Sequence, residues 1–318
     1  KLGVEQERAL KQLIDFVLDP NESVITLQGA AGTGKTAIIR YLELYLKDNL
    51  AVAYMAPTHA ATVELGFNIA KSGHSVLPST VRSGLYSIEE KGVTTTIFSE
   101  KIKRQLNKQY NAVIIDEASM LDNEDVENLM KAANKPGVPP VKLIFLGDPK
   151  QLPKVDSDTP KTNSLFSSSR AKASRIVSSA FTKFKQSKLT KIYRSSNDSI
   201  LKYWEVLRNQ NKFKFLKTEN SDSLKFLTNS EWYSMAREKI KAEPGSTMII
   251  TFTNAQVSAL NNYFRQVLGR VGTPQKGDIV VGYIGYQNKQ VDKGHLGNSL
   301  QYEIQEISSL QEMPSIKR

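Results

Sequence analysis

Apolar residues from Val4 to Pro153 switch repeatedly between two periods. Val4 to Leu18 carries them at helical spacing and predicts an amphipathic helix. Ser23-Val24-Ile25-Thr26-Leu27-Gln28 is a short β-branched run and reads as a buried strand, and Ala37 to Leu46 returns to helical spacing. Ala51 to Ala56 is the next strand, followed by a helix over His59 to Ala70. Asn111 to Ile115 and Val141 to Leu146 are two more strands, separated by a helix over Glu124 to Ala133. Strands and helices in alternation predict an α/β chain with a parallel sheet covered on both faces. Ligands of such sheets gather at the carboxyl ends of the strands.

Two segments interrupt the pattern. Ser83 to Tyr110 holds Val93-Thr94-Thr95-Thr96-Ile97-Phe98 in a polar setting and reads as an inserted hairpin. Ser157 to Ser179 is rich in Ser and Lys and reads as a loop or domain connection. Beyond it, helices are expected over Asn197 to Arg208, Ser230 to Ala242 and Ala255 to Leu268, with a strong strand at Thr247 to Phe252. Asp278 to Ile284 and Gln301 to Ile307 are β-like. The expected organisation is a first domain of residues 1–82 and 110–179, with an inserted hairpin at 83–109. A partial second domain follows at 180–270, then a β-rich stretch at 271–318.

Charge adds a partner. The 318 residues include 43 Lys plus Arg and 32 Asp plus Glu, a formal net charge of +11. That favours an anionic partner such as nucleic acid, with a merely basic surface as the alternative. No acidic residue occurs from Thr159 to Asn197, where Lys161, Arg170, Lys172, Arg175, Lys183, Lys185, Lys188, Lys191 and Arg194 accumulate. Such a stretch is either a solvated loop or a phosphate-facing track. The absence of cysteine excludes disulfides and thiolate metal sites, and His59, His74 and His295 show no ligand spacing. No signal peptide or apolar run of membrane-spanning length is present, so a soluble, cytoplasmic protein without a membrane partner is expected.

Chemistry concentrates at the strand ends. Gly29-Ala30-Ala31-Gly32-Thr33-Gly34-Lys35-Thr36 is a complete G-x-x-x-x-G-K-[ST] loop between a strand and a helix. Backbone N–H groups of such a loop hold phosphate oxygens; Lys35 reaches the β- and γ-phosphates and the Thr36 hydroxyl ligates Mg²⁺. Asp116-Glu117 directly follows an apolar strand. Taken alone the pair is also a common helix cap. Beside a phosphate loop, Asp116 is assigned to the metal and Glu117 to orienting the attacking water. Gly147-Asp148-Pro149-Lys150-Gln151-Leu152-Pro153 follows the next strand. As loop chemistry it is an ordinary turn, and in this combination Gln151 is placed to sense a γ-phosphate.

These segments together resemble a superfamily-1 helicase, of the RecD and Dda type of DNA helicase. Gly29 to Thr36, Ala56-Pro57-Thr58-His59-Ala60-Ala61, Asp116-Glu117 and Gly147 to Pro153 match its successive motifs in order, and Leu189-Thr190-Lys191-Ile192-Tyr193-Arg194-Ser195 resembles the next. The resemblance covers roughly residues 1–260. It implies two RecA-like domains, the second incomplete here, with ATP and Mg²⁺ as nucleotide and metal. It also implies a monomer acting on single-stranded or fork DNA in the 5′-to-3′ direction. By the same match Pro57, Thr58 and His59 touch single-stranded DNA, Arg194 is an arginine finger, Tyr193 stacks on adenine and Gln6 reads the adenine edge. The hairpin becomes a candidate duplex-splitting pin, and the final stretch resembles an SH3-like insertion.

The chain departs from that family in places. Ser79-Thr80-Val81-Arg82 stands where the family usually has Thr-Ile-His. The late Thr-x-His-x-x-Gln-Gly and Tyr-Val-x-x-(Thr/Ser)-Arg elements do not occur before Arg318, and the chain begins at Lys1 without Met. A fragment of a longer helicase, with weak ATPase activity and no processive unwinding of its own, is the expectation. The alternatives are a nucleotide-dependent module that binds nucleic acid without unwinding it, and an RNA helicase of the same superfamily. A P-loop ATPase acting on protein is disfavoured by the +11 charge and by Pro57-Thr58-His59.

Overall fold

The computed structural model describes residues 2–46, 48, 50–71, 73, 76–90, 96–102, 106, 109–134, 139–151, 177–193, 198–209, 225–243, 245–251, 253–281, 286–287, 295–296 and 301–307. The chain divides into two compact units, Lys1–Ser196 and Asn197–Arg318.

The first unit opens with α1 (Val4–Leu18), β1 (Val24–Gly29) and α2 (Lys35–Leu46), followed by β2 (Val52–Ala56) and α3 (His59–Ala70). β3 (Ser79–Thr80), α4 (Val81–Leu85), β4 (Tyr86–Glu90) and β5 (Thr96–Ile102) come next. β6 (Ala112–Ile115), α5 (Asn123–Ala133), β7 (Lys142–Gly147) and β8 (Lys185–Leu189) complete it. Six strands form one sheet in the order β3-β2-β6-β7-β1-β8, and every pairing in it is parallel. The apolar runs are buried on both faces, as β6 shows with all four residues buried. One core packs α1, α2 and α3 against the sheet through Leu13, Phe16, Ile38, Leu42, Leu65 and Ile69. A second packs α5 and the turn at Ser179–Phe181 against the other face through Val126, Leu129, Phe145 and Phe181.

β8 differs in kind. Lys185-Gln186-Ser187-Lys188-Leu189 alternates exposed and buried positions, as an edge strand with one covered face does. This polar pattern conceals a sheet strand, and the boundary expected at 179/180 falls later, because residues 185–189 pair with β1 and the first unit runs to Ser196. β4 and β5 pair antiparallel within the stretch expected to be an inserted hairpin. Residues 91–95, between β4 and β5, lie outside the described residues, as do 157–176 of the Ser/Lys-rich stretch.

The second unit contains α6 (Asp198–Asn209), α7 (Asn229–Ala242) and α8 (Asn254–Val267). β9 (Ile279–Val281) pairs antiparallel with β12 (Gln301–Glu303), and β10 (Tyr286–Gln287) with β11 (His295–Leu296). Ala236, Ile240 and Phe264 make its small core, with Trp232 and Tyr263 packed against it. The strand expected at Thr247 to Phe252 is not found over 247–251. Met248 and Ile250 are 77% and 87% exposed there. An apolar run becomes a strand only with a neighbour to bond, and none lies beside it among the described residues. Asp278 ties the β-rich part to the end of α8: it accepts from Arg265 Nη2 at 3.0 Å, Arg270 Nη1 at 2.9 Å and Gln275 N at 2.9 Å. No helix among the described residues is long and apolar enough to cross a membrane.

Candidate nucleotide site

Because all six strands run the same way, their carboxyl ends share one edge of the sheet. Along that edge β6, β7, β1 and β8 end in Asp116-Glu117, Gly147-Asp148, the Gly29–Thr36 loop and Thr190-to-Tyr193 respectively. Segments far apart in sequence become neighbours because their strands are neighbours.

The loop leaves β1 and turns directly into α2, which begins at Lys35. Gly32 and Gly34 hold φ of 82° and 87°, a left-handed backbone that L side chains rarely adopt. This turn directs successive N–H groups and the start of α2 toward one point, a ready anion seat. Thr33 Oγ1 donates to Ala30 O at 2.9 Å inside the turn. Lys35 Nζ lies over the loop, donating to Gly29 O at 2.8 Å and Ala30 O at 3.2 Å. The ammonium is therefore held where bound phosphate oxygens would meet it. Thr36 follows in the first turn of α2, partly buried.

Gln6 is buried in the first turn of α1. Its amide nitrogen donates to Thr33 O at 3.0 Å and its amide oxygen accepts from Gly3 N at 2.9 Å. Gln6 thus fastens α1 to the phosphate loop, a structural role additional to the adenine contact expected of it. Tyr193 N donates to Gly32 O at 2.8 Å, bringing the segment after β8 onto the same loop.

Asp116 and Glu117 sit one strand away from the loop's strand, across β7. Asp116 N donates to Met55 O at 2.9 Å, continuing the β2–β6 ladder by one residue, and Glu117 N donates to Asp116 Oδ1 at 2.9 Å. Glu117 has φ 52° and ψ 36°, the one non-glycine residue with positive φ among the described residues. Such a conformation costs of order 1–3 kcal/mol and persists where surrounding structure enforces it. Burial pushes both carboxyl groups above their ordinary range; for Glu117 the neighbouring Asp116 adds to the rise, while Lys35 opposes it for both.

Part of the enforcement comes from β7. A Cβ on Gly147 would stand 2.8 Å from Phe181 Cζ and 3.2 Å from the backbone N of Ala118 and Ser119. Only glycine lets the end of β7 pass this close to the Glu117 turn. Beyond it Asp148 is buried, accepting from Lys150 N at 2.9 Å, and Gln151 N returns to Asp148 O at 3.0 Å. Ser119 Oγ donates to Gln151 Oε1 at 3.1 Å, so the carboxylate turn and the Gln151 turn are directly bonded.

The same edge continues at β2 and β3. Pro57 and Thr58 are partly buried and His59 exposed. Thr58 caps α3, its side chain accepting from Ala61 N at 3.2 Å, and Thr80 caps α4 in the same way through Ser83 N at 3.1 Å. Arg194 lies outside the described residues. Sequence reasoning did not single out Ser119 or Glu5. Their partners lie 32 and 185 residues away, so no local spacing could reveal them.

A parallel sheet with a phosphate loop and two carboxylates at its carboxyl edge defines a RecA-like P-loop nucleoside-triphosphate-binding protein. The AAA domain family model matches residues 1–228, and the chain belongs to that family. Within it the chain is of the superfamily-1 helicase type represented by RecD and Dda. It is 31% identical over 166 residues to the RecBCD enzyme subunit RecD of Buchnera aphidicola, an alignment covering 46% of this chain and 26% of the relative. It is 26% identical over 273 residues to the ATP-dependent DNA helicase Dda of Enterobacteria phage T4, covering 82% and 55% respectively. The structure of Bacteroides sp. Pif1 in complex with ADP-AlF4 shares the fold, with a TM-score of 0.50 and 19% identity over 96% of this chain and 64% of that one. The chain thus spans 26–55% of the length of the relatives RecD and Dda that it matches.

Proposed function

We propose that this chain is the ATP-hydrolysing part of a helicase motor that moves on single-stranded DNA, in the 5′-to-3′ direction, and opens fork DNA. The observation that carries the reading is the single edge of six parallel strand ends. Four of them gather the phosphate loop, Asp116-Glu117, Gln151 and Tyr193, and β2 extends the row with Pro57, Thr58 and His59. A nucleotide seat and a polynucleotide path on one edge is the arrangement a nucleic-acid motor needs.

In this reading the loop amides and Lys35 bind the phosphates of ATP. Glu117, partly buried in the turn that packs close against Gly147, orients water for in-line attack. Its raised affinity for a proton suits it to accept one from that water. Gln151, bonded to Ser119, links the carboxylate turn to the γ-phosphate. Arg194 is assigned as the arginine finger, with Tyr193 and Gln6 at the adenine. Mg²⁺ would supply charge neutralisation on the phosphates, with Thr36 and Asp116 as its protein ligands. Hard oxygen donors of this kind fit that ion. Among the described residues no group of three or more His, Cys, Asp or Glu could hold a metal ion, so phosphate oxygens would complete the set.

The test is ATP hydrolysis by this chain with and without single-stranded DNA, fork DNA and RNA, alongside Lys35→Ala. We expect stimulation by single-stranded DNA and loss of turnover in Lys35→Ala. Strand displacement from 5′- and 3′-tailed forks reads direction. Turnover indifferent to every polynucleotide would reject the motor, and stimulation by RNA alone would move the assignment to an RNA helicase. Nucleotide-dependent DNA binding without turnover would leave a binding module.

A further inference from the structure

Glu5 carries no phosphate-binding or catalytic signature, yet it sits at the centre of a contact absent from the sequence pattern. Its carboxylate accepts from Thr190 N at 3.0 Å, Thr190 Oγ1 at 2.5 Å and Lys191 N at 3.1 Å. Thr190 and Lys191 directly follow β8 and lead to Tyr193. Tyr193 N then donates to Gly32 O in the phosphate loop. The Tyr193 hydroxyl lies against Gly3, within 2.1 Å of where a Cβ would stand. Gly3 N in turn donates to Gln6, which holds Thr33 O. The contacts close a circuit: Glu5, the segment after β8, Tyr193, the phosphate loop, Gln6 and back to the first turn of α1.

A carboxylate that accepts several hydrogen bonds, two of them from successive backbone N–H groups, fixes the direction of the segment it holds. Here the segment is the last described stretch before Arg194 and the start of the second unit at Asn197. Lys191 Nζ also lies over the Tyr193 ring, 5.3 Å from its centre. Tyr193 is 45% exposed, so its ring is held beside the loop without being buried by the core.

We infer that Glu5 is a positioning residue for nucleotide recognition: it staples residues 190–191 to α1 and so sets Tyr193 beside the phosphate loop, where the base of a bound nucleotide would lie. The inference rests on the proposed ATP site. It distinguishes two parts of that site. The phosphate seat is built from the loop and α2 and does not need Glu5, whereas the base-side wall is built through Tyr193 and does.

The experiment compares binding of ATP and of inorganic tripolyphosphate to the wild-type chain, Glu5→Gln, Thr190→Ala, Tyr193→Ala and the Glu5→Gln/Tyr193→Ala double variant. Circular dichroism confirms that each is folded. Glu5→Gln should weaken ATP binding on the order of tenfold, the size of a lost charge-assisted hydrogen bond, and leave tripolyphosphate binding unchanged. Thr190→Ala, which removes one donor from the partner side, should move ATP binding in the same direction by less. In the Tyr193→Ala background Glu5→Gln should have no further effect. Unchanged ATP binding in Glu5→Gln, or equal weakening of ATP and tripolyphosphate, would overturn the inference. A wild-type chain that binds neither ligand would instead overturn the nucleotide site on which it rests.

Discussion

Val141 to Leu146 and Thr247 to Phe252 have the same apolar, strand-like character in sequence and meet different fates. The first becomes β7, bonded to β1 on one side and β6 on the other, with Leu143, Ile144, Phe145 and Leu146 all at 0% exposure. The second has no strand over its described residues, and Met248 and Ile250 project into solvent. Propensity nominates a strand; neighbouring strands make one. The first unit supplies five further strands in register, while the described residues of the second supply only short antiparallel pairs elsewhere.

The largest effect that tests this contrast is truncation in each run. Phe145→Ala should destabilise the first unit by about 3–5 kcal/mol, the usual cost of emptying a packed aromatic site. Ile250→Ala should change stability by less than about 0.5 kcal/mol. Urea denaturation followed by circular dichroism measures both, and a comparable loss at Ile250 would mean that residues 247–251 are packed after all.

Next in size is Gly147→Ala. The added methyl meets Phe181 and the backbone at Ala118 and Ser119, so about 1–3 kcal/mol of overpacking is expected. Turnover should fall further than stability alone explains, because the Glu117 turn is the part displaced. In the second unit, Asp278→Ala should cost about 1–3 kcal/mol by removing the acceptor that Arg265, Arg270 and Gln275 N share, although both arginines keep backbone carbonyl partners. Hydrogen exchange should rise at Gly277 and Ile304, whose N–H groups bond beside Asp278 between the two segments of the β-rich part, and stay unchanged in β1, β6 and β7.

The smallest effect is an acid-range one at Glu5. Hydrogen bonds from the Thr190 side chain, then from the Thr190 and Lys191 backbone, lower its pKa from 4.5 to about 2, with a small contribution from Arg8. A carboxylate with a depressed folded-state pKa stabilises the fold above its unfolded value, and that contribution fades as pH falls toward the folded one. The stability difference between wild type and Glu5→Gln should therefore be constant above about pH 4.5 and shrink between there and pH 2. A difference that persists unchanged at pH 2 would show that Glu5 acts through something other than its charge.

Much of the first unit was legible because its determinants are local. The strand, glycine turn and helix around Gly29 to Thr36 lie in consecutive residues, and the apolar runs announce buried parallel strands. The bounds expected for α1 and α3 agree with the structure, Val4–Leu18 and His59–Ala70. What escaped was set by tertiary partners. β8 is polar on one face and lies in a basic stretch whose sequence suggests a solvated loop or a phosphate-facing track, not a strand, until β1 is placed beside it. The Ser119–Gln151 bond and the Glu5 staple join residues that no motif spacing connects. The run at 247–251 failed in the opposite sense, promising a strand from composition while lacking the neighbour that composition does not encode.

The strand order also has a consequence in time. β1 is synthesised before both of its sheet neighbours, β7 at Lys142–Gly147 and β8 at Lys185–Leu189. The buried Thr26 side chain of β1 finds its partner, Ala180 O, only 154 residues later. At ribosomal speeds of about 5–20 residues per second, the finished loop waits on the order of ten seconds for the sheet that shapes it. During that interval β1 is an unpaired apolar segment on a nascent chain, a natural client for chaperones, and nucleotide capture becomes one of the last events in the birth of the domain.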